Sequence, residues 1–274
     1  MHRKTFIKAA SLGSMLLLTQ AQALTGIQAL MAAPARRKRV LRIAIASDLH
    51  FGQPNTPFDQ NAQNLVTHVN EAHAADPFAF CVINGDLIHD DPAHLPLARK
   101  ALQGLAMPYY VSQGNHDRVT PEYWQQVWGM PLNYDWRTGK QAFIIASTSN
   151  KQGDYLAPDL TFMQAALQRQ AKAREVFIFL HINPAGIASH SVNSDALKTL
   201  LAKHKNVKAV FNGHDHNEAG IHTAGHFHYL FTGHAGGNWG LPYYGYRILE
   251  LFTDGSMLTY MMNPREAIGE QRIG

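Results

Sequence analysis

From residue 40 onward the chain alternates short apolar runs with amphipathic stretches, the pattern of a mixed α/β fold. Residues 40–47 predict a strand, 59–74 an amphipathic helix, and 78–84 a second strand apolar enough to be buried on both faces. A helix over 94–105, a strand over 108–112, a helix over 121–127 opened by Pro121 and a strand over 142–147 follow. Then come a helix over 159–172, a strand over 176–180, a helix over 194–203 capped by Ser194, and a strand over 207–212. Short strands near 228–231, 246–252 and 257–262 end the series, which predicts an α/β sandwich whose helices cover the sheets.

The polar residues concentrate where strands end. The first strand runs into Ser47-Asp48-Leu49-His50, the second into Asn84-Gly85-Asp86, and the third into Gly114-Asn115-His116-Asp117. The strand over 176–180 runs into His181, and that over 207–212 into Gly213-His214-Asp215-His216. Such ends gather on one rim of an α/β fold, and a buried rim tolerates so many polar groups only if something pairs them. A metal centre is the economical partner. In extended chain, residues i and i+2 face one side, so Asp48 and His50 are expected to approach one ion together while Leu49 turns into the core. His214 and His216 are expected to repeat that geometry. Asp86 has two oxygens with which to bridge two ions, and Asn115 offers a neutral carbonyl oxygen. Imidazole and oxygen donors without thiolate suit Mn, Fe, Zn or Co better than a Cys-built structural zinc site. Two divalent ions, two carboxylates and a hydroxide leave a charge of about +1, for which a phosphate anion is the natural guest.

In its residues and their order, the series Asp48-x-His50, Gly85-Asp86, Gly114-Asn115-His116-Asp117, His181 and Gly213-His214-x-His216 resembles the calcineurin-like metallophosphoesterases. The resemblance implies a single-domain β-sandwich flanked by helices, four layers in the order α/β/β/α, with two transition-metal ions. It assigns Asp48, His50, Asp86 and His216 to one ion and Asp86, Asn115, His181 and His214 to the other, with Asp86 as the bridge. His116 would lie beside the phosphate as acid or transition-state clamp, and Asp117 would orient its ring or hold it protonated. The implied reaction is hydrolysis of a small phosphate ester by in-line attack of a hydroxide bridging the ions. The run Gly114-Asn115-His116-Asp117-Arg118 and the short loops look like the cyclic-nucleotide phosphodiesterase branch, so a diester is preferred. A broad phosphomonoesterase and a non-catalytic metal-binding scaffold of the same fold are the alternatives. His89 stands where the purple acid phosphatases of this superfamily carry a tyrosine ligand, and is read as a rim residue.

Residues around this set suggest substrate contacts. Arg118 is placed either to clamp a second phosphate oxygen or to pair with a surface acid. In the glycine-rich segment 232–246, Trp239, Tyr243 and Tyr244 offer rings for stacking on a leaving group, and His234 offers a polar contact.

The remaining composition narrows the setting. An apolar content of 46% with 16% charged residues excludes disorder, and the lone cysteine, Cys81, excludes a disulfide scaffold. Seven basic residues and no acid lie before residue 40 and outweigh the net charge of +4, leaving residues 40–274 at −3. That balance gives no nucleic-acid footprint. Residues 1–33 read as an export segment: Arg3, Lys4 and Lys8, an apolar stretch over 9–18, and the small-x-small site Ala21-Gln22-Ala23. The run from Arg3 to Lys8 resembles a twin-arginine signal, with Lys4 in place of the second arginine. The expected product is a periplasmic or secreted protein with no stable membrane anchor, in which 34–40 form a basic linker and 41–274 the catalytic domain.

Overall fold

A strand in the middle of this fold is apolar on both faces because each face meets a different layer. In β1 (Arg39–Ala46), Ala44 and Ala46 face helices while Leu41, Ile43 and Ile45 face a second sheet. The computed structural model describes residues 37–274, so the expected export segment 1–33 and residues 34–36 lie outside the described residues.

The first sheet contains β1, β2 (Phe80–Asn84), β3 (Tyr109–Ser112), β10 (Tyr246–Phe252), β11 (Met257–Asn263) and β12 (Glu266–Ile273), in the order β12-β11-β10-β1-β2-β3. Strands β1 to β3 are parallel, whereas β10 to β12 run antiparallel to their neighbours. The second sheet contains β4 (Tyr134–Thr138), β5 (Gln141–Ile145), β6 (Glu175–Phe179), β7 (Val207–Asn212), β8 (Ile221–Ala224) and β9 (Phe227–Phe231), in the order β4-β5-β6-β7-β9-β8. Its four inner strands are parallel.

Helices α1 (Phe58–Ala75), α2 (Leu95–Leu102) and α3 (Pro121–Trp128) bury Leu65, Val69, Ala98, Leu102 and Trp124 against the first sheet. Helices α4 (Leu160–Arg169) and α5 (Asp195–Lys203) bury Met163, Leu167, Leu197 and Leu201 against the second. Between the sheets, Ile43, Ile45, Phe80, Val82, Phe143, Phe177, Phe179 and Phe211 interdigitate. Each such burial contributes about 1.5–3 kcal/mol before entropy is counted. Three apolar layers separate four structural ones, the expected α/β/β/α order. Local chemistry sets the helix starts: Ser194 Oγ accepts from Leu197 N at 3.3 Å, and Asp159 Oδ1 accepts from Thr161 N at 2.8 Å.

Several boundaries differ from expectation. The helix expected over 94–105 stops at Leu102 and is preceded by a 3₁₀ turn over Pro92–His94. The linker expected over 34–40 ends earlier, because Arg39 already pairs with Phe252 across β10 and its guanidinium meets Asp76 and Glu250. Strands β4, β8 and β12 were not expected. All three are sheet edges, half-exposed or exposed, and lack the continuous apolar run that marks inner strands; in β4 only Tyr134 and Trp136 turn to the core. Cys81 is buried in β2 with its thiol pushed up to about 12 by burial, which makes it a packing residue. Among the described residues no helix is long and apolar enough to cross a membrane.

Candidate metal centre

The carboxyl ends of β1, β2, β3, β6 and β7 open onto one rim, and the loops leaving them carry all seven expected ligands. These loops turn sharply. Of seven non-glycine residues with positive φ among the described residues, six lie here: Asp48, His50, Asp86, Asp90, Arg118 and His214. Strained backbone of this kind persists only where the surroundings hold it, and it clusters at functional sites. It also corrects the extended-chain argument. Asp48 at φ 57° and His50 at φ 47° have left the strand, and so has His214 at φ 67°. As a result His214 and His216 diverge into different groups.

One group is Asp48, His50 and His216, and the other is Asp86, His181 and His214. In the first, His50 Nε2 lies 3.0 Å from His216 Nε2, which lies 3.1 Å from Asp48 Oδ1. In the second, His181 Nε2 lies 3.2 Å from Asp86 Oδ2. The groups adjoin: the same Asp86 oxygen is 3.8 Å from His50 Nε2, and Asp48 Oδ1 is 3.8 Å from His181 Nε2. Asp86 thus stands between them, as a bridging carboxylate would. Buried Asn115 Oδ1 and His214 Nε2 have no hydrogen-bond partner among the described residues. Such orphaned lone pairs, beside two buried carboxylates, fit a pair of divalent cations.

Backbone acceptors hold the imidazoles in the ligating tautomer. His181 Nδ1 donates to Asn84 O at 2.7 Å and His216 Nδ1 to Trp239 O at 3.1 Å, which leaves each Nε2 lone pair facing inward. Burial lowers His50 to about 3 and His214 to about 4, so both rings are neutral at pH 7. Burial acts the same way on His181, but the Asp86 and Asp48 carboxylates outweigh it and hold that ring at about 10. A cation seated there takes the place of that proton. Burial would raise both carboxyls; instead the neighbouring imidazoles, His181 first, keep Asp48 and Asp86 below the usual range.

The motif glycines are explained by close approach. A Cβ on Gly85 would overlap the His181 ring, one on Gly114 would overlap Asp86 Oδ1, and one on Gly213 would overlap Ser47 Oγ and Asp48 Oδ2.

Beside the first group His116 is partly exposed, and its backbone N–H donates to Asp86 Oδ1 at 2.8 Å. Its ring partner is not Asp117. Asp117 is buried, with Oδ1 accepting from Leu87 N and Ile88 N at 2.8 and 3.1 Å and Oδ2 from Gly114 N at 2.7 Å. Burial and the Asp86 charge push it up to about 8, and it acts as a brace joining two ligand loops. The residue on His116 is Asp90, whose Oδ1 lies 3.0 Å from His116 Nδ1 and 2.9 Å from Arg118 Nε. Arg118 thus takes the second of its two expected roles, pairing with an acid. His234 is also corrected. It is buried, its Nδ1 and Nε2 lie 2.5 and 3.0 Å from Gly236 O and Leu241 O, and its ring stacks behind His216 at 4.6 Å. It supports a ligand and presents no nitrogen to a substrate.

Trp239 covers the other face of His216, 4.3 Å away and tilted by 4°, and is 40% exposed. Tyr155, which the sequence did not single out, stands edge-on to His214 at 4.5 Å and is 44% exposed. His89 lies closer to the chemistry than a rim residue: its Nδ1 is 3.1 Å from His50 Nδ1, and its ring stacks on His116 at 4.7 Å. The adjacent acids in His89-Asp90-Asp91, four residues past the Gly-Asp pair, were the available signal for Asp90.

A family model described as calcineurin-like phosphoesterase matches residues 41–218. No match was found among curated protein sequences. The fold is similar to that of a dimetal phosphatase from Danio rerio, with TM-score 0.68 and 13% identity over 86% of this chain and 99% of that one. It is similar to purple acid phosphatase PPD1 from yellow lupin (Lupinus luteus) seeds, with TM-score 0.67 and 16% identity over 85% of this chain and 53% of the lupin protein. GAP50, the anchor in the inner membrane complex of Plasmodium, gives TM-score 0.63 and 16% identity over 85% of this chain and 88% of its own. With the family model covering well over half of its length, the chain belongs to the calcineurin-like phosphoesterases, metal-dependent hydrolases of phosphate esters.

Proposed function

We propose that this hydrolase cleaves phosphodiesters in preference to monoesters. The observation that carries the reading is the Arg118–Asp90 ion pair at 2.9 Å, which leaves that guanidinium neutralised. With Arg118 held by Asp90, His116 is the motif side chain left to meet the phosphoryl group, which suits the single charge of a diester better than the two of a monoester dianion. Two exposed rings, Trp239 beside one donor group and Tyr155 beside the other, offer faces to two organic arms.

In this reading Asp48, His50 and His216 hold one ion, Asp86, His181, His214 and Asn115 the other, and Asp86 is shared. Two such ions supply Lewis-acid activation of water and neutralise charge on the phosphoryl oxygens. The chain's own part is positioning. Asp90 accepts from His116 Nδ1, which turns His116 Nε2 outward, and a proton on that nitrogen is the one delivered to the leaving oxygen. Asp117 keeps the loops bearing Asp86 and Asn115 in register from behind. Export to the periplasm or outside the cell remains part of the proposal, supported by the pattern of residues 1–33.

The test is hydrolysis of bis(p-nitrophenyl) phosphate against p-nitrophenyl phosphate by protein loaded separately with Mn, Zn and Fe. A higher kcat/KM for the diester supports the reading. Preference for the monoester replaces it with a phosphomonoesterase.

A further inference from the structure

A cavity of about 290 Å³ opens between α1, the 232–246 segment and the turn joining β11 to β12, and none of the metal-donor residues lines it. Its walls combine Tyr243, Tyr244 and Tyr246 with Asn61, His68 and Asn263. No described residue lining it bears a formal charge: burial and the Arg265 cation lower His68 below its ordinary range, so that ring is neutral at pH 7. An anionic ester would lose its hydration there and gain no counter-charge. The cavity therefore selects against the ligands that the metal centre selects for.

Asn61 tells what it selects. The residue is 5% exposed, its backbone N–H already donates to Pro57 O at 2.9 Å, and its Nδ2 has no hydrogen-bond partner among the described residues. A buried amide donor left over at a cavity wall is costly unless an acceptor arrives. The hydroxyl protons of two of the three tyrosines are already used: Tyr246 Oη donates to His68 O at 3.3 Å and Tyr244 Oη to Gly237 O at 2.8 Å. Tyr246 is thereby fixed in the core at the back of the cavity, and the Tyr244 ring is held in place with its apolar surface exposed. We propose that this cavity binds an uncharged, planar ring bearing a carbonyl acceptor, the chemistry of a nucleobase, with Asn61 Nδ2 donating to the carbonyl and Tyr243 and Tyr244 packing on the ring.

Calorimetric titration of the metal-loaded protein with uridine tests this, with glucose and inorganic phosphate as comparators. Uridine should bind saturably, should not be displaced by inorganic phosphate, and should bind about tenfold more weakly to Asn61→Ala. Asn64→Trp, an exposed position lining the same cavity, should block uridine by filling the space without disturbing a buried residue. Absence of uridine binding overturns the proposal, as does binding that phosphate displaces or that survives both substitutions. Glucose bound as tightly as uridine overturns the planar-ring assignment.

Discussion

His116 Nδ1 and Asp90 Oδ1 lie 3.0 Å apart, and through this contact a carboxylate outside the recognisable motif orients the ring that the proposed reaction uses as its acid. Asp90→Asn should lower kcat about 10–100-fold with metal content unchanged, and Asp90→Glu should restore part of it. Steady-state kinetics with metal analysis checks both. An Asp90→Asn enzyme with full kcat would remove Asp90 from the chemistry.

Asp117 predicts a different phenotype. Asp117→Ala strands three buried backbone donors, each worth about 1 kcal/mol or more, and should lower Tm by about 5–10 °C in the metal-loaded protein. A variant with the parent's Tm and no activity would instead return Asp117 to a direct role.

Gly114→Ala places a Cβ on Asp86 Oδ1, the shared carboxylate. Metal content measured after dialysis should fall from about two ions per chain toward one or none. Full occupancy would mean that the loop moves aside without cost.

Acid should weaken the tie between β1 and α1. The hydrogen bond from Arg39, together with Arg42, holds the Asp76 carboxyl below its ordinary 3.8. The stabilisation is therefore present above pH 3.8 and lost as pH falls through the lowered value. Asp76 is 40% exposed, so the pair contributes at most about 1 kcal/mol, or about 2–4 °C in Tm. Asp76→Asn should show that deficit at pH 7 and converge with the parent near pH 2. An equal offset at both pH values would point to packing rather than charge.

Much of the fold was legible because inner strands and helix starts are written in local chemistry. The uniform apolar run of β2 requires two covered faces, and Ser194 and Asp159 cap the next backbone N–H groups within their own turn. The edge strands β4, β8 and β12 were illegible for the converse reason: with one edge and much of their surface in water, they need no continuous apolar run, and the two apolar rings of β4 are too short a pattern to mark a strand.

The donor types, their glycines and their position after strands are properties of short segments, and the chain by itself determined them. Spacing along the strands did not divide those donors; the family resemblance implied the two groups, and the physical cause of the division lies in the tertiary structure. His214 and His216 are two residues apart yet part company, because a left-handed backbone at His214 turns one ring toward Asp86 and the other toward Asp48, 168 residues away from His216. His116 passes over its neighbour Asp117 for Asp90, 26 residues away, and Asp117 turns back to brace the loop. Spacing along a strand cannot report such choices, since they are made by loops beyond the strand ends, where the sheets bring distant residues into contact.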